Sequence, residues 1–278
     1  MTRIRLIGNL VLMLALADLS AGGAHAQGGN EASPPSAAPT EARSQRDGWH
    51  FLLAGYLWTT GLHGDLTLDS QTIQIDANFI DVVKATDSLF SLGLLFVATK
   101  GRWGFLVDPL YMKVGADRQG RLGVTDVNVT ARIFIAETTG FYTFLRKVRA
   151  GAGQTTISLD AILGLRTWWI RANASSERDL FASEGSQAWV DPLAGLIFRF
   201  HLVRGHVPIL VRGDLGGWGV GSSIAWAATG SVGYRWILPR LDIGIDLAYR
   251  ALGPNYEKDG FGWNVVMHGP QLALAFEF

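Results

Sequence analysis

From Leu241 to Arg250 the chain alternates without a break. Leu241, Ile243, Ile245, Leu247 and Tyr249 fall on one side, and Asp242, Gly244, Asp246, Ala248 and Arg250 on the other. A period of two makes one face of a strand apolar and leaves the other small and charged. The run Gln271 to Phe278 repeats it, with Leu272, Leu274, Phe276 and Phe278 opposite Gln271, Ala273, Ala275 and Glu277. A water-soluble sandwich also alternates, but its polar side is rich in Lys, Thr and Glu. Here that side is Gly, Ala and Ser with sparse Asp and Arg, which suits a crowded interior. An apolar outside around a small, charged inside is the pattern of an all-β, antiparallel, up-and-down transmembrane β-barrel.

The rest of the chain agrees with export to a membrane. Arg3 and Arg5 precede a short apolar core from Leu6 to Leu16, and Ala24-His25-Ala26 offers a small-residue cleavage site before Gln27. Residues 1–26 therefore read as a signal peptide. Residues 27–47, rich in Pro, Ser, Ala and Gly, lack periodicity and read as a disordered periplasmic lead. The barrel is expected over 48–278. The formal net charge of +0 leaves no basic surplus for nucleic acid. Without cysteine there are no disulfides and no thiol chemistry.

Ten strands are expected, at 49–60, 88–99, 102–115, 122–145, 155–174, 187–202, 206–219, 222–236, 240–252 and 262–278. The tight connections at Lys100-Gly101, Val203 to His206 and Leu238 to Arg240 read as periplasmic. The longer ones at 61–87, 175–186 and 253–261 read as extracellular. Two connections depart from this rule, 146–154 being long for a periplasmic turn and 219–222 short for an outer loop. Trp49, Trp103 and Trp236 lie beside the periplasmic turns, and Trp168, Trp169, Trp189, Trp218, Trp226 and Trp263 near the outer ends, as two aromatic girdles would. Pro109, Pro192, Pro208 and Pro270 fall inside strands and demand bulges or strand ends, because a closed barrel has no edge to host them. In 61–87, Leu66, Leu68, Ile73 and Ile75 alternate around Ser70-Gln71 as a hairpin rising above the membrane. Asp76 to Lys84 has helical spacing suited to a partial plug. If the hairpin crosses the bilayer, the strand number becomes twelve.

The alternation places acids and arginines in the lumen: Asp108, Asp126, Asp160, Asp191, Asp214, Asp242, Asp246 and Glu277, with Arg132, Arg166, Arg199, Arg212, Arg235 and Arg250. Arginine suits planar, multi-donor pairing inside a protein. An unpaired charge there is costly, so the two sets should be neighbours. Three pairs share a face of their own strand: Asp160 with Arg166, Arg212 with Asp214, and Asp246 with Arg250.

Catalytic patterns are absent from the sequence. No Gly-x-Ser-x-Gly elbow, His-Glu-x-x-His or dense ligand cluster occurs, so no catalytic residue, metal site or cofactor is expected. His201 and His268 read as interfacial or hydrogen-bonded structural residues.

Tyr56-Leu-Trp58, Trp189-Val-Asp-Pro192, the glycine-rich run Arg212 to Ser222, Gly233-Tyr-Arg-Trp236 and the stretch Gly269 to Phe278 carry a resemblance. Over nearly all of the mature chain it resembles a family of proteobacterial outer-membrane β-barrel proteins. The resemblance implies the outer membrane and a barrel, and brings no activity with it. A last strand ending on Phe276 and Phe278 is similar to the assembly signal of Gram-negative outer-membrane proteins. It implies the barrel-assembly machinery as a partner, beside outer-membrane lipid and lipopolysaccharide. Three functions stay open. They are a largely closed barrel with a structural or surface-interaction role, a narrow porin-like channel for small solutes, and an outer-membrane enzyme acting on lipid or peptide.

Overall fold

The computed structural model of the chain describes residues 48–69, 71–77, 90–118, 127–149, 154–176 and 182–278. The signal peptide, the lead, Asp126 and the part of the expected plug beyond Ala77 lie outside the described residues. Among the described residues twelve antiparallel strands follow in order: β1 His50–Trp58, β2 Gly61–Leu68, β3 Gln71–Ala77, β4 Phe90–Lys100, β5 Trp103–Arg118 and β6 Val127–Arg149. After these come β7 Thr155–Ser176, β8 Ala182–Leu202, β9 Val207–Gly216, β10 Ile224–Trp236, β11 Asp242–Lys258 and β12 Phe261–Glu277.

Strand order runs β1-β4-β5-β6-β7-β8-β9-β10-β11-β12, and β1 pairs with β12, so ten strands close the ring. The remaining two form a hairpin. Through Gln271 to Glu277, β12 pairs with β1, and through Gly262 to His268 it pairs with β2. Thus β2 continues the line of β1 past Thr59 and Thr60, and β3 turns back beside it. The ring has the ten strands expected, and the hairpin extends the wall on its outer side; the twelve-strand alternative, in which the hairpin crosses the bilayer, is not what the structure shows.

Prolines sit where the ladder yields. Pro270 marks the place where β12 changes partner, and its carbonyl accepts the Thr59 N–H at 3.0 Å. Beside Pro109 the β4–β5 pairing passes from Gly93↔Leu110 to Phe96↔Val107, omitting the residues between. Pro208 is the second residue of β9. Because proline has no N–H to donate, a ladder loses least by yielding beside it.

Alternation along the strands separates two surfaces. Leu165, Leu215, Leu247 and Leu272 are exposed on the outside, all above half of their full area. Asp108, Asp160, Asp214 and Arg166 are buried on the inside. An apolar belt of this extent is wetted by hydrocarbon, and closure of the ring leaves no open sheet edge there. The chain is an outer-membrane β-barrel. The connections 101–102, 203–206 and 237–241 share one end with the first and last residues of the ring. Apart from the turn at 259–260 the connections at the other end are longer on the whole, which makes the first end the periplasmic one.

Strand lengths correct the expected boundaries. β6, β7 and β8 have 23, 22 and 21 residues, about twice what a bilayer needs. The sheet therefore continues beyond the membrane. β11 runs on to Lys258, so the expected outer loop 253–261 shrinks to a turn at Asp259 and Gly260, both at positive φ. At the other end the expected long turn 146–154 is partly a projecting ladder, Arg146↔Ser158 to Arg149↔Thr155. The girdle is corrected too. Trp169, Trp226 and Trp218 stay outside, whereas Trp168, Trp189 and Trp263 are buried in the interior.

Leu165 lies near the middle of the outer belt, 52% exposed. Leu165→Arg is expected to destabilise the barrel by ~2–4 kcal/mol, the cost of arginine at the bilayer midplane. Urea unfolding from lipid vesicles measures it, and a change below 1 kcal/mol (about the interfacial cost) would place this residue outside the hydrocarbon.

Candidate functional site

The interior has two storeys. In the middle and periplasmic part, charged side chains meet across the lumen. Arg166 of β7 donates from Nη2 to Glu137 Oε2 of β6 at 2.8 Å and to Asp214 Oδ1 of β9 at 2.8 Å. Arg212 of β9 donates to the other Glu137 oxygen and, through Nε at 3.0 Å, to Asp214 Oδ2. Two carboxylates and two guanidinium groups thus neutralise one another. Glu137 and Arg166 are almost wholly shielded from solvent, with side-chain exposures of 1% each.

A second cluster spans the ring. Arg250 of β11 donates at 3.1 Å to Asp108 Oδ2 of β5, and the Tyr56 hydroxyl of β1 donates to Asp108 Oδ1. Tyr56 lies over Gly93, where an added Cβ would stand 2.0 Å from the ring. Nearer the periplasm, Arg199 pairs with Asp160 at 2.7 Å, and Thr143 donates to the same carboxylate. Arg235 makes two 2.9 Å bonds to Asp246 and one of 2.9 Å to Glu277. It lies flat over Gly244, where a Cβ would meet its Nη1 at 2.3 Å. Asp242 accepts the Leu238 N–H at 3.2 Å in the turn below.

The outer storey is apolar. Leu62, Leu66, Leu68 and Ile75 of the β2–β3 hairpin pack with Trp58, Met112, Ile133, Trp168, Ile170 and Trp263 in one buried cluster. Leu68 reaches β8, for a Cβ at Gly185 would lie 2.6 Å from its Cδ2. Beside this cluster Asp191 of β8 gathers four donors. They are Trp168 Nε1 at 2.8 Å, Trp189 Nε1 at 3.2 Å, and the Ser222 N–H at 2.6 Å and hydroxyl at 2.8 Å. The loop 217–223 between β9 and β10 is thereby pinned against the wall. Trp189 stacks on Tyr256 with centroids 3.9 Å apart.

The structure brings together Asp108, Asp160, Asp191, Asp214, Asp242, Asp246, Glu277, Arg166, Arg199, Arg212, Arg235 and Arg250 in the lumen. Arg132 is a correction. In β6 the odd positions face inward, so Arg132 is exposed on the outside while Ile133 and Ile135 are buried. Both faces of Arg132-Ile-Phe-Ile-Ala are largely apolar, which left the parity ambiguous in the sequence. The same parity explains the missed Glu137. Its signal was positional, since it stands directly opposite Arg166. Of the three same-strand pairs expected, Arg212 and Asp214 do meet, at 2.9 Å. Asp160, Arg166, Asp246 and Arg250 take partners on other strands instead.

On the outer wall a relay of side chains was not foreseen. Tyr249 OH lies 2.7 Å from His268 Nδ1, His268 Nε2 lies 3.2 Å from His63 Nδ1, and His63 Nε2 lies 3.1 Å from Asp76. It fastens the hairpin to β12. Among the described residues no group of three His, Cys, Asp or Glu is placed to hold a metal ion.

No protein-family model matches the chain, and no curated protein matches it. Among solved structures it is similar to Neisserial surface protein A, at 14% identity over 83% of this chain and 97% of that one, with a TM-score of 0.31. It is also similar to Ail of Yersinia pestis, solved with the heparin analogue sucrose octasulfate, at 12% identity over 84% and 99%, TM-score 0.34. The translocator domain of the autotransporter NalP from Neisseria meningitidis matches at 9% identity over 85% and 92%, TM-score 0.30. Similarity at this level transfers neither ligand nor activity.

Removing one member of a buried ion cluster strands the others. Arg166→Met, which leaves Glu137 and Asp214 short of a cation, should cost ~3–5 kcal/mol. Arg235→Met should cost less, because its partner Glu277 is 39% exposed and water can replace the guanidinium. Chemical denaturation of the two variants from the same vesicles checks the order, and equal losses would contradict it.

Proposed function

We propose that the chain is a largely closed outer-membrane barrel whose role is structural or surface-interacting, and not the passage of solutes. The observation carrying this reading is the Arg250–Asp108 pair. It joins β11 to β5 across the lumen, on the same level of the fold as the Glu137–Arg166–Asp214–Arg212 cluster. A diffusion path needs polar groups that line a gap and stay hydrated. Here the guanidinium and carboxylate groups neutralise one another directly, and buried ion pairs of this kind are fillers of narrow barrels. Among the described residues the hairpin cluster above them is apolar and covers the outer side of the charged layer. Among the described residues, what the barrel presents outward is its extended sheet, the β2–β3 hairpin and the loop 217–223.

Recording from planar bilayers tests this. Wild-type protein should show no stable unitary conductance. Deleting residues 62–77 together with Arg250→Ala and Asp108→Ala should produce discrete steps, since both storeys then lose their filling. Stable wild-type steps would replace the closed barrel with a narrow channel.

A further inference from the structure

On the outside of β5, β6 and β7, three cations stand directly opposite one another. Lys113 pairs in register with Arg132, and Arg132 with Arg171. All three point away from the lumen, because their neighbours Met112, Ile133 and Ile170 are fully buried. Like charges directly opposite on adjacent strands destabilise a sheet. Among the described residues the only carboxylate paired with any of them is Glu184, 3.7 Å from Arg171 Nε. That nitrogen is buried without a hydrogen-bond partner. Among the described residues the row is thus short of negative charge.

The residues below the cations locate them in the bilayer. One step down each strand, Tyr111, Phe134 and Trp169 form a row of aromatic side chains in register. The Arg171 guanidinium lies 5.6 Å over the Trp169 ring. At the far end of the same strands Trp103 stands opposite Tyr142, which stands opposite Ala161, and the Trp103 and Tyr142 rings are 4.6 Å apart. Ten residues separate Trp103 from Lys113, Tyr142 from Arg132 and Ala161 from Arg171. At ~3.3 Å per residue and a tilt of ~40° this is ~25 Å, the height of the apolar band of such barrels. The cations therefore sit where hydrocarbon gives way to headgroups, just above an aromatic girdle. One step higher, Thr130 and Asn173 offer hydrogen bonds.

We propose that Lys113, Arg132 and Arg171 form a site on the outer wall for the phosphates of a phosphorylated glycolipid of the outer leaflet, the lipid A part of lipopolysaccharide. Its acyl chains lie along the aromatic girdle, its phosphates sit between the three cations, and its sugars reach Thr130 and Asn173. Arginine pairs with phosphate through two parallel N–H donors, and lysine adds a point charge. The site rests on the membrane orientation given above and not on whether the lumen is closed.

Native mass spectrometry of the full chain refolded in detergent tests it, with bisphosphorylated lipid A, dephosphorylated lipid A and phosphatidylglycerol as probes. Wild-type protein should retain bisphosphorylated lipid A about tenfold more strongly than either of the others. The variant K113Q/R132Q/R171Q should lose that preference, and K113R/R132K/R171K should keep most of it. R146Q/K147Q/R149Q, which removes cations from the opposite end, should behave as wild type. Heat-dependent gel mobility verifies folding. If the triple Gln variant does not fold, the exposed Arg132→Gln alone is read, with a loss of about threefold expected. Equal retention of dephosphorylated lipid A or of phosphatidylglycerol overturns the proposal, as does unchanged binding in the folded triple or single Gln variant. Loss confined to R146Q/K147Q/R149Q would reverse the orientation and overturn it as well. A conducting lumen would sink the closed-barrel reading and leave this one standing.

Discussion

The fold depends on mutual neutralisation in a space that admits little water. Among the described residues, five arginines and six carboxylates share ion pairs inside this barrel: Arg166, Arg199, Arg212, Arg235 and Arg250 with Asp108, Glu137, Asp160, Asp214, Asp246 and Glu277. Each group alone would carry a desolvation cost of several kcal/mol, and attraction offsets it only when geometry and hydrogen bonding are both good. That condition constrains everything around the charges. Glycines at 93, 233 and 244 leave room for Tyr56, Asp246 and Arg235 to lie flat. Strand register is held in turn, since a slip of one residue would aim every one of these groups at lipid.

Asp191 shows the same constraint met without a cation. Two indole N–H groups, one backbone N–H and one hydroxyl surround it. Hydrogen bonds to a carboxylate are strong, so a short loop that looked anomalous for an outer connection becomes a strap folded onto the wall. The apolar cluster next to it belongs to a different regime, where burial of Leu, Ile and Trp side chains holds the β2–β3 hairpin over the outer storey. Ionic bonding near the middle and apolar packing toward the outer face thus share one lumen. Outside, the order is reversed. Hydrocarbon meets leucine along the belt, and Lys113, Arg132 and Arg171 meet the headgroups above it.

Much of this was legible from residue order alone. Strict alternation at Leu241 to Arg250 marks which side faces lipid, because a strand has only two faces and the bilayer leaves no choice about which is apolar. Aspartates and arginines on the other face followed by parity. Among the described residues parity failed where both faces are apolar, as in Arg132 to Ala136. There the inward role went to Ile133, Ile135 and Glu137, and Arg132 turned out to the membrane surface. Outer strand ends were misread for a related reason. Gly253 and Pro254 suggest a loop, yet a ladder can skip a proline and continue.

Period-two patterning and aromatic placement, both local properties, established a membrane barrel of about ten strands with arginine and acid inside. Which acid meets which arginine was decided by curvature. Closing the ring brings β5 opposite β11 and β7 within reach of β9, so Arg250 finds Asp108 and Arg166 finds Asp214, although Asp246 and Asp160 lie nearer along the chain. Tertiary structure also turned Trp168, Trp189 and Trp263 inward and gave the hairpin its place, because only a closed wall creates an interior for them to fill.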